Sequence, residues 1–313
     1  MDGLQVSLFG KFCVRCGEQA LNGLDAYKVQ ELFCYLLLHA NRPHHRESLA
    51  GLLWQEQPAA QSKGYLRRTL WQLQNAFNDQ TNLNSLVQVD ADWIQVNCTN
   101  GLWLDVAVFE QAFASAQGKP GLGLDATAVR ALDEAVKVYR GSLLEGWYQD
   151  WCLFERERYQ QMLLLMLDKL MEHCEGCAAY EAGITYGMQI LRYDLARERT
   201  HRRLMRLHYL SGDRTSALRQ YDRCTAVLQH ELGVKPAAAT EKLRAQIQAD
   251  QLEPRFFLPS AATDSPPSLQ NTLEHLRHFD GILSQTRQEI QQEIQRIESS
   301  LYETKEQKLE NRE

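Results

Sequence analysis

The hydrophobic positions of this chain change period along its length, and each change marks an element. Leu4 to Phe12 and Val14 to Leu21 read as two short strands around Gly10 and Gly17. Val29, Leu32, Phe33, Leu36 and Leu37 then recur at helical spacing, up to the break at Asn41-Arg42-Pro43. Arg46 to Trp54 predicts a second, short helix, stopped by Gln57-Pro58. A third runs from Ser62 to Phe77, with Leu66, Leu70, Leu73 and Phe77 on one face. Leu86 to Val89 and Trp93 to Val96 predict a hairpin across Asp90-Ala91-Asp92. Strands, three helices and a closing hairpin is the order of a winged helix-turn-helix, an α+β unit whose third helix enters the major groove.

Past a Gly/Pro-rich loop at Gly118 to Gly123 the spacing stays helical, beginning with Ala126 to Tyr139. Trp147, Trp151 and Phe154 cluster at a helix start and are expected in the core. Leu153 to His173 follows as one long helix burying Met162, Leu163, Met166, Leu167 and Leu170. Tyr180, Ile184, Met188 and Leu191 share one helix face, and so do Ala217, Tyr221, Cys224 and Leu228. Between them Arg197 to Leu210 predicts another helix, with Gly212 suited to the left-handed residue that closes it. Ala182-x3-Tyr186 returns as Ala217-x3-Tyr221 about 35 residues on, close to the period of TPR-like repeats, where a small residue lets an aromatic pack. Such a module offers binding surface rather than chemistry. Pro254, Pro259, Pro266 and Pro267 mark a linker. Beyond it Leu269, Leu276, Leu283, Ile290 and Ile297 recur every seven residues, with Leu273, Ile294 and Leu301 on the other seam and Asp280 and Arg287 interrupting it. A dimer seam is expected at Ile290, Ile294, Ile297 and Leu301. The fold class that follows is mainly α: a winged helix over residues 1–100, an all-α TPR-like domain over 101–251, a linker at 252–267 and a heptad-containing helix over 268–313.

Composition changes this picture little. Hydrophobic residues make up 44% and charged residues 24%, an ordinary globular balance. The net charge of −6 provides no overall drive toward nucleic acid or an anionic membrane, so any basic surface is local. No apolar run is long enough to span a bilayer and no signal-peptide pattern opens the chain, so a cytoplasmic protein with reduced cysteines is expected. Cys13/Cys16 and Cys174/Cys177 are far apart in the chain and are read as packing residues, not as a metal site. No nucleotide loop, nucleophile elbow or zinc-protease motif occurs, and neither an enzyme nor a cofactor is expected.

Charge is informative in two places. No acid lies between Glu56 and Asp79, and Lys63, Arg67 and Arg68 project from the third helix away from its leucine stripe. Trp71, Gln74 and Asn75 are available beside them; Arg bonds guanine bidentately, and Gln or Asn does the same for adenine. Trp71 either packs on the helix Arg46 to Trp54 or reaches thymine methyl groups. Arg199, Arg202, Arg203 and Arg206 fall along one side of a helix, giving either a solvated ion-pair face or a docking patch for an acidic partner surface or DNA phosphate.

Arg46-Glu47-x-Leu49-Ala50-x-x-Leu53-Trp54 followed by Leu66-Arg67-Arg68-x-Leu70-x-x-Leu73 resembles the winged-helix half of the SARP-type (antibiotic regulatory protein) bacterial transcriptional activators. Leu104-Asp105-Val106-Ala107-Val108-Phe109-Glu110 is similar to their passage into the bacterial transcriptional activator domain. Tyr139-Arg140-Gly141-x-x-Leu144-x-Gly146, Glu155-Arg156-Glu157-Arg158, Ser211-Gly212-Asp213-Arg214 and Glu231-Leu232-Gly233-Val234-x-Pro236 resemble that domain itself. The resemblance spans roughly residues 4–250 and implies a DNA-binding regulator that works with RNA polymerase, its helical domain dimerising or holding the transcription machinery. Gln74 and Asn75 stand where relatives carry further arginines, and the wing tip is acidic through Asp90 and Asp92.

Overall fold

The computed structural model describes residues 4–17, 19–20, 23–40, 42–78, 86–97 and 101–252. The heptad positions Ile290, Ile294, Ile297 and Leu301, and the proline-rich linker, lie outside the described residues. Strand β1 (Leu4–Ser7) pairs antiparallel with β2 (Cys13–Cys16), which pairs in turn with β3 (Gln19–Ala20). Alternation sends Leu4 and Val6 into the core and leaves Gln5 outside.

Helix α1 (Tyr27–Leu38) buries the expected Val29, Leu32, Phe33, Leu36 and Leu37, and also Glu31 and Cys34. It is covered on two sides. Phe33 meets Phe77 of the third helix with ring centroids 5.3 Å apart, while Tyr35 meets Trp151 of the helical half at 5.4 Å. Strand β4 (His44–His45) leads into α2 (Arg46–Leu53), and α3 follows as Ala59–Asn78. Helix α3 starts before Ser62, because Pro58 ends the turn and the Pro58 carbonyl accepts the N–H groups of Gln61 and Ser62. The buried Ser62 hydroxyl instead lies 3.3 Å from each of the Trp54, Gln57 and Pro58 carbonyls, which ties the turn between α2 and α3. Strands β5 (Val87–Val89) and β6 (Trp93–Val96) form the hairpin, with β4 on its other edge.

Strand β7 (Leu102–Leu104) runs parallel to β1 and completes a sheet in the order β3-β2-β1-β7. The boundary expected after residue 100 therefore falls beside a strand of the first sheet. Next come α4 (Asp105–Ser115), a 3-10 turn at Gly121–Gly123, α5 (Ala126–Val138) and the long α6 (Asp150–Gly176). Helices α7 (Tyr180–Tyr193), α8 (Glu198–Leu210), α9 (Arg214–Leu232) and α10 (Ala238–Gln248) complete the order. Asp125 and Asp213 cap α5 and α9, each accepting an N–H at 2.8 Å, and left-handed Gly233 closes α9.

Two expectations need correction. Phe154 is 77% exposed, not core: the start of α6 is covered only on the side where Trp147 and Trp151 meet Tyr27 and Tyr35. Ala182 is also exposed, and the small residues that admit a neighbouring helix are Gly183 and Gly187. A methyl group on Gly187 would come within 2.7 Å of the Leu204 side chain and 2.8 Å of that of Met171, so those side chains of α8 and α6 pack directly on this bare face of α7. Ala217 plays the expected small role on α9, fully buried beside Tyr221.

Candidate nucleic-acid interface

The helical period of α3 separates two faces. Leu66, Leu70, Leu73 and Phe77 are buried, while Lys63, Arg67, Arg68, Trp71, Gln74 and Asn75 are all exposed. Trp71 is 63% exposed and does not pack on α2; Trp54 of that turn faces Tyr65 instead, with ring centroids 6.3 Å apart. Arg67 and Arg68 close no ion pair among the described residues. Lys63 pairs with Glu47 of α2, and this ammonium holds the Glu47 carboxyl below the usual carboxylate range. Both partners are solvent-exposed, so water and salt screen the pair and a phosphate can displace the carboxylate. The hairpin tip presents Asp90 and Asp92 to solvent, with Trp93 half exposed against His45.

The arginines of α8 are disposed differently. Arg206 donates from Nε to Glu175 at 2.9 Å, and Arg203 from Nη1 to the Asp168 carbonyl at 3.0 Å. Arg202 lies 3.8 Å from Glu198, while Arg199 is exposed. Asp168, Glu172 and Glu175 all come from α6, a pairing across helices that sequence spacing did not reveal. These acids hold the guanidinium groups from beneath. The outer edges of all four arginines line a groove of about 410 Å³ with Lys242 of α10.

What the sequence reading missed is the joint between the halves. Asp105, at the start of α4, is buried and accepts three N–H bonds: Leu8 at 2.7 Å and Phe9 at 2.8 Å on Oδ2, and Val106 at 2.8 Å on Oδ1. Burial nonetheless pushes its carboxyl up to about 6, against the pull of those N–H groups and of Arg140. On the other side, the Leu144 N–H donates to the Leu8 carbonyl at 2.8 Å and the Gly10 N–H to that of Ser142 at 2.9 Å. Arg156 of α6 binds the same loop by its Leu143, Leu144 and Trp147 carbonyls, at 3.0, 2.9 and 2.8 Å. The motif Tyr139 to Gly146 is this loop, so the spacing was visible while its purpose was not.

A winged helix is joined in this way to stacked helix pairs. Residues 104–248 match the family model of the bacterial transcriptional activator domain, so this stretch of the chain carries that domain. Among solved structures it is similar in fold to Mycobacterium tuberculosis EmbR, determined in complex with a low-affinity phosphopeptide. The TM-score is 0.68 at 18% sequence identity, over 81% of this chain and 67% of that one. No curated protein matches the sequence. Among the described residues, no helix is long and apolar enough to cross a membrane.

Proposed function

We propose that the chain is a SARP-type transcriptional regulator that binds double-stranded promoter DNA by laying α3 in the major groove, with the β5–β6 hairpin as its wing. One observation carries this reading: α3 presents Lys63, Arg67, Arg68, Trp71, Gln74 and Asn75 on one exposed face that contains no acid. Lys63 and Arg68 take phosphate contacts; Arg67, Gln74 and Asn75 take base or phosphate contacts; Trp71 meets thymine methyl groups. In gel shifts on promoter fragments, Lys63→Ala/Arg67→Ala is expected to weaken binding by about 10–100-fold and to lower the salt slope by about 1–2. Equal affinity of parent and variant at every salt concentration would remove α3 from the interface.

The proposal includes pairing of two copies through Ile290, Ile294, Ile297 and Leu301, which the heptad sequence alone supports, and activation by recruitment of RNA polymerase. The polymerase-facing surface is the groove with Arg199, Arg202, Arg203 and Arg206, whose preset guanidinium groups suit acidic side chains. Arg199→Glu/Lys242→Glu is expected to abolish retention of polymerase on the promoter complex while leaving DNA affinity within about twofold, since both residues are remote from α3 in sequence and fold. A second reading, an adaptor that works by protein contacts alone, is favoured by the acidic wing tip and the Lys63–Glu47 pair. Polymerase retention without any DNA binding is the result that selects it.

A further inference from the structure

The outer face of the first sheet carries a second cationic surface, separate from α3. Register sets Gln5 of β1 opposite Arg15 of β2 on one side and Trp103 of β7 on the other, so the three share one row across the sheet. All three are exposed, Trp103 to 40%. The row forms part of a cleft of about 480 Å³ whose rim adds Lys11, Arg140 and Glu145. That is the size range of small-molecule sites.

The cleft is built from both halves of the fold. Arg15 and Trp103 belong to the sheet and Lys11 to the turn between β1 and β2; Arg140 and Glu145 belong to the loop after α5. Backbone bonds fasten the two walls, from the Gly10 N–H to the Ser142 carbonyl at 2.9 Å and from the Glu145 N–H to the Gly10 carbonyl at 2.8 Å. A site held by main chain does not have to be assembled by its ligand.

Charge and shape narrow what fits. Three cations line the cleft against one carboxylate, in a chain whose net charge is −6. Neither Lys11, Arg15 nor Arg140 closes an ion pair among the described residues. The other carboxylate near Arg140 is Asp105, which is buried and engaged by three N–H groups. Three cations around one cleft repel one another, and an anion between them relieves that repulsion. Trp103 adds a flat π face, and the Gln5 amide supplies a donor and an acceptor beside it.

We propose that this cleft binds a small aromatic anion, its phosphate or carboxylate on Lys11, Arg15 and Arg140 and its ring against Trp103. Such a ligand bridges the winged helix and the activator domain, and it stabilises the joined form by mass action. The site does not depend on α3 reading DNA.

Isothermal titration of the full chain with adenosine monophosphate and with 4-hydroxybenzoate tests the proposal and separates a phosphate source from a carboxylate one. Pyrophosphate and adenosine serve as charge-only and ring-only probes. At least one aromatic anion is expected to bind saturably, one per chain, and to raise the melting midpoint. Its affinity should fall about tenfold or more in Arg140→Gln and in Trp103→Thr, and stay unchanged in Lys63→Ala/Arg67→Ala. If Trp103→Thr fails to fold by circular dichroism, Arg15→Gln, an exposed substitution, decides in its place. Any of three results overturns the assignment: no saturable binding of either anion, full affinity in the cleft variants, or pyrophosphate binding as tightly as the aromatic anions.

Discussion

Asp105→Ala is expected to destabilise the protein by about 2–5 kcal/mol at neutral pH, seen as a lower urea midpoint at unchanged slope. The substitution strands the N–H groups of Leu8, Phe9 and Val106 in a dry site, where each unmade bond costs about 1–3 kcal/mol. Part of that loss is returned, because the ionised carboxylate is itself uncomfortable there. Its folded pKa of about 6 lies above the ordinary 3.8, so the folded state holds the proton more tightly than the unfolded chain. The stability linked to that proton is fully present below pH 3.8 and is lost as pH rises through about 6, a change of about 3 kcal/mol. His39 and His44 act in the opposite sense. Burial lowers both below 6.5, so acidification charges them in the unfolded chain first and removes stability as pH falls through that value. Asp105→Asn keeps an oxygen for Leu8 and Phe9 and has no proton to release. It should cost less than alanine and lose the decline in stability between pH 4 and 6. Urea midpoints across that window check this, and a parent-like pH profile in Asp105→Asn would refute the assignment.

The distinction between what the sequence revealed and what it hid follows the range of the interaction. The faces of α3 were legible because a period of 3.6 residues is written into Leu66, Leu70, Leu73 and Phe77, and the cations opposite them needed no partner to be placed. The start of α3 was placed too late, at Ser62, because the apolar stripe begins only at Leu66 and does not show that the helix already starts at Ala59, just past Pro58. Phe154 misled for a different reason: the sequence shows an aromatic cluster at a helix start, but not that α1 covers only one side of it. The row of arginines on α8 was visible as a row, while the carboxylates beneath it come from α6, some thirty residues away in the chain. Asp105 is the extreme case. Its three N–H partners include two from the other end of the winged helix, and nothing local in Leu104 to Glu110 announces a buried carboxylate.

Arg156→Ala is expected to separate DNA binding from activation. The guanidinium fills the inside of the loop between α5 and α6 and donates to three carbonyls that have turned inward. Leu144, fully buried, sits at φ 46 within that loop, a left-handed conformation unusual for leucine, and its N–H reaches the Leu8 carbonyl. The loop thus faces Arg156 on one side and β1 on the other. Removing the guanidinium takes a donor from all three carbonyls, of which that of Leu144 keeps the Trp147 N–H at 3.0 Å, and leaves a disfavoured backbone less supported, at a cost of about 2–4 kcal/mol. Lysine, a point charge without the fork, should recover less than half of this. Helix α3 is held elsewhere, through Phe77 against Phe33, so promoter affinity at low temperature should stay within about threefold of the parent. Transcript yield at matched promoter occupancy is the discriminating measurement, because the proposed recruitment needs the groove of Arg199 and Lys242 to be carried at a fixed position relative to the DNA. A yield that tracks occupancy alone would show that the joint supports stability and not the passage from binding to activation.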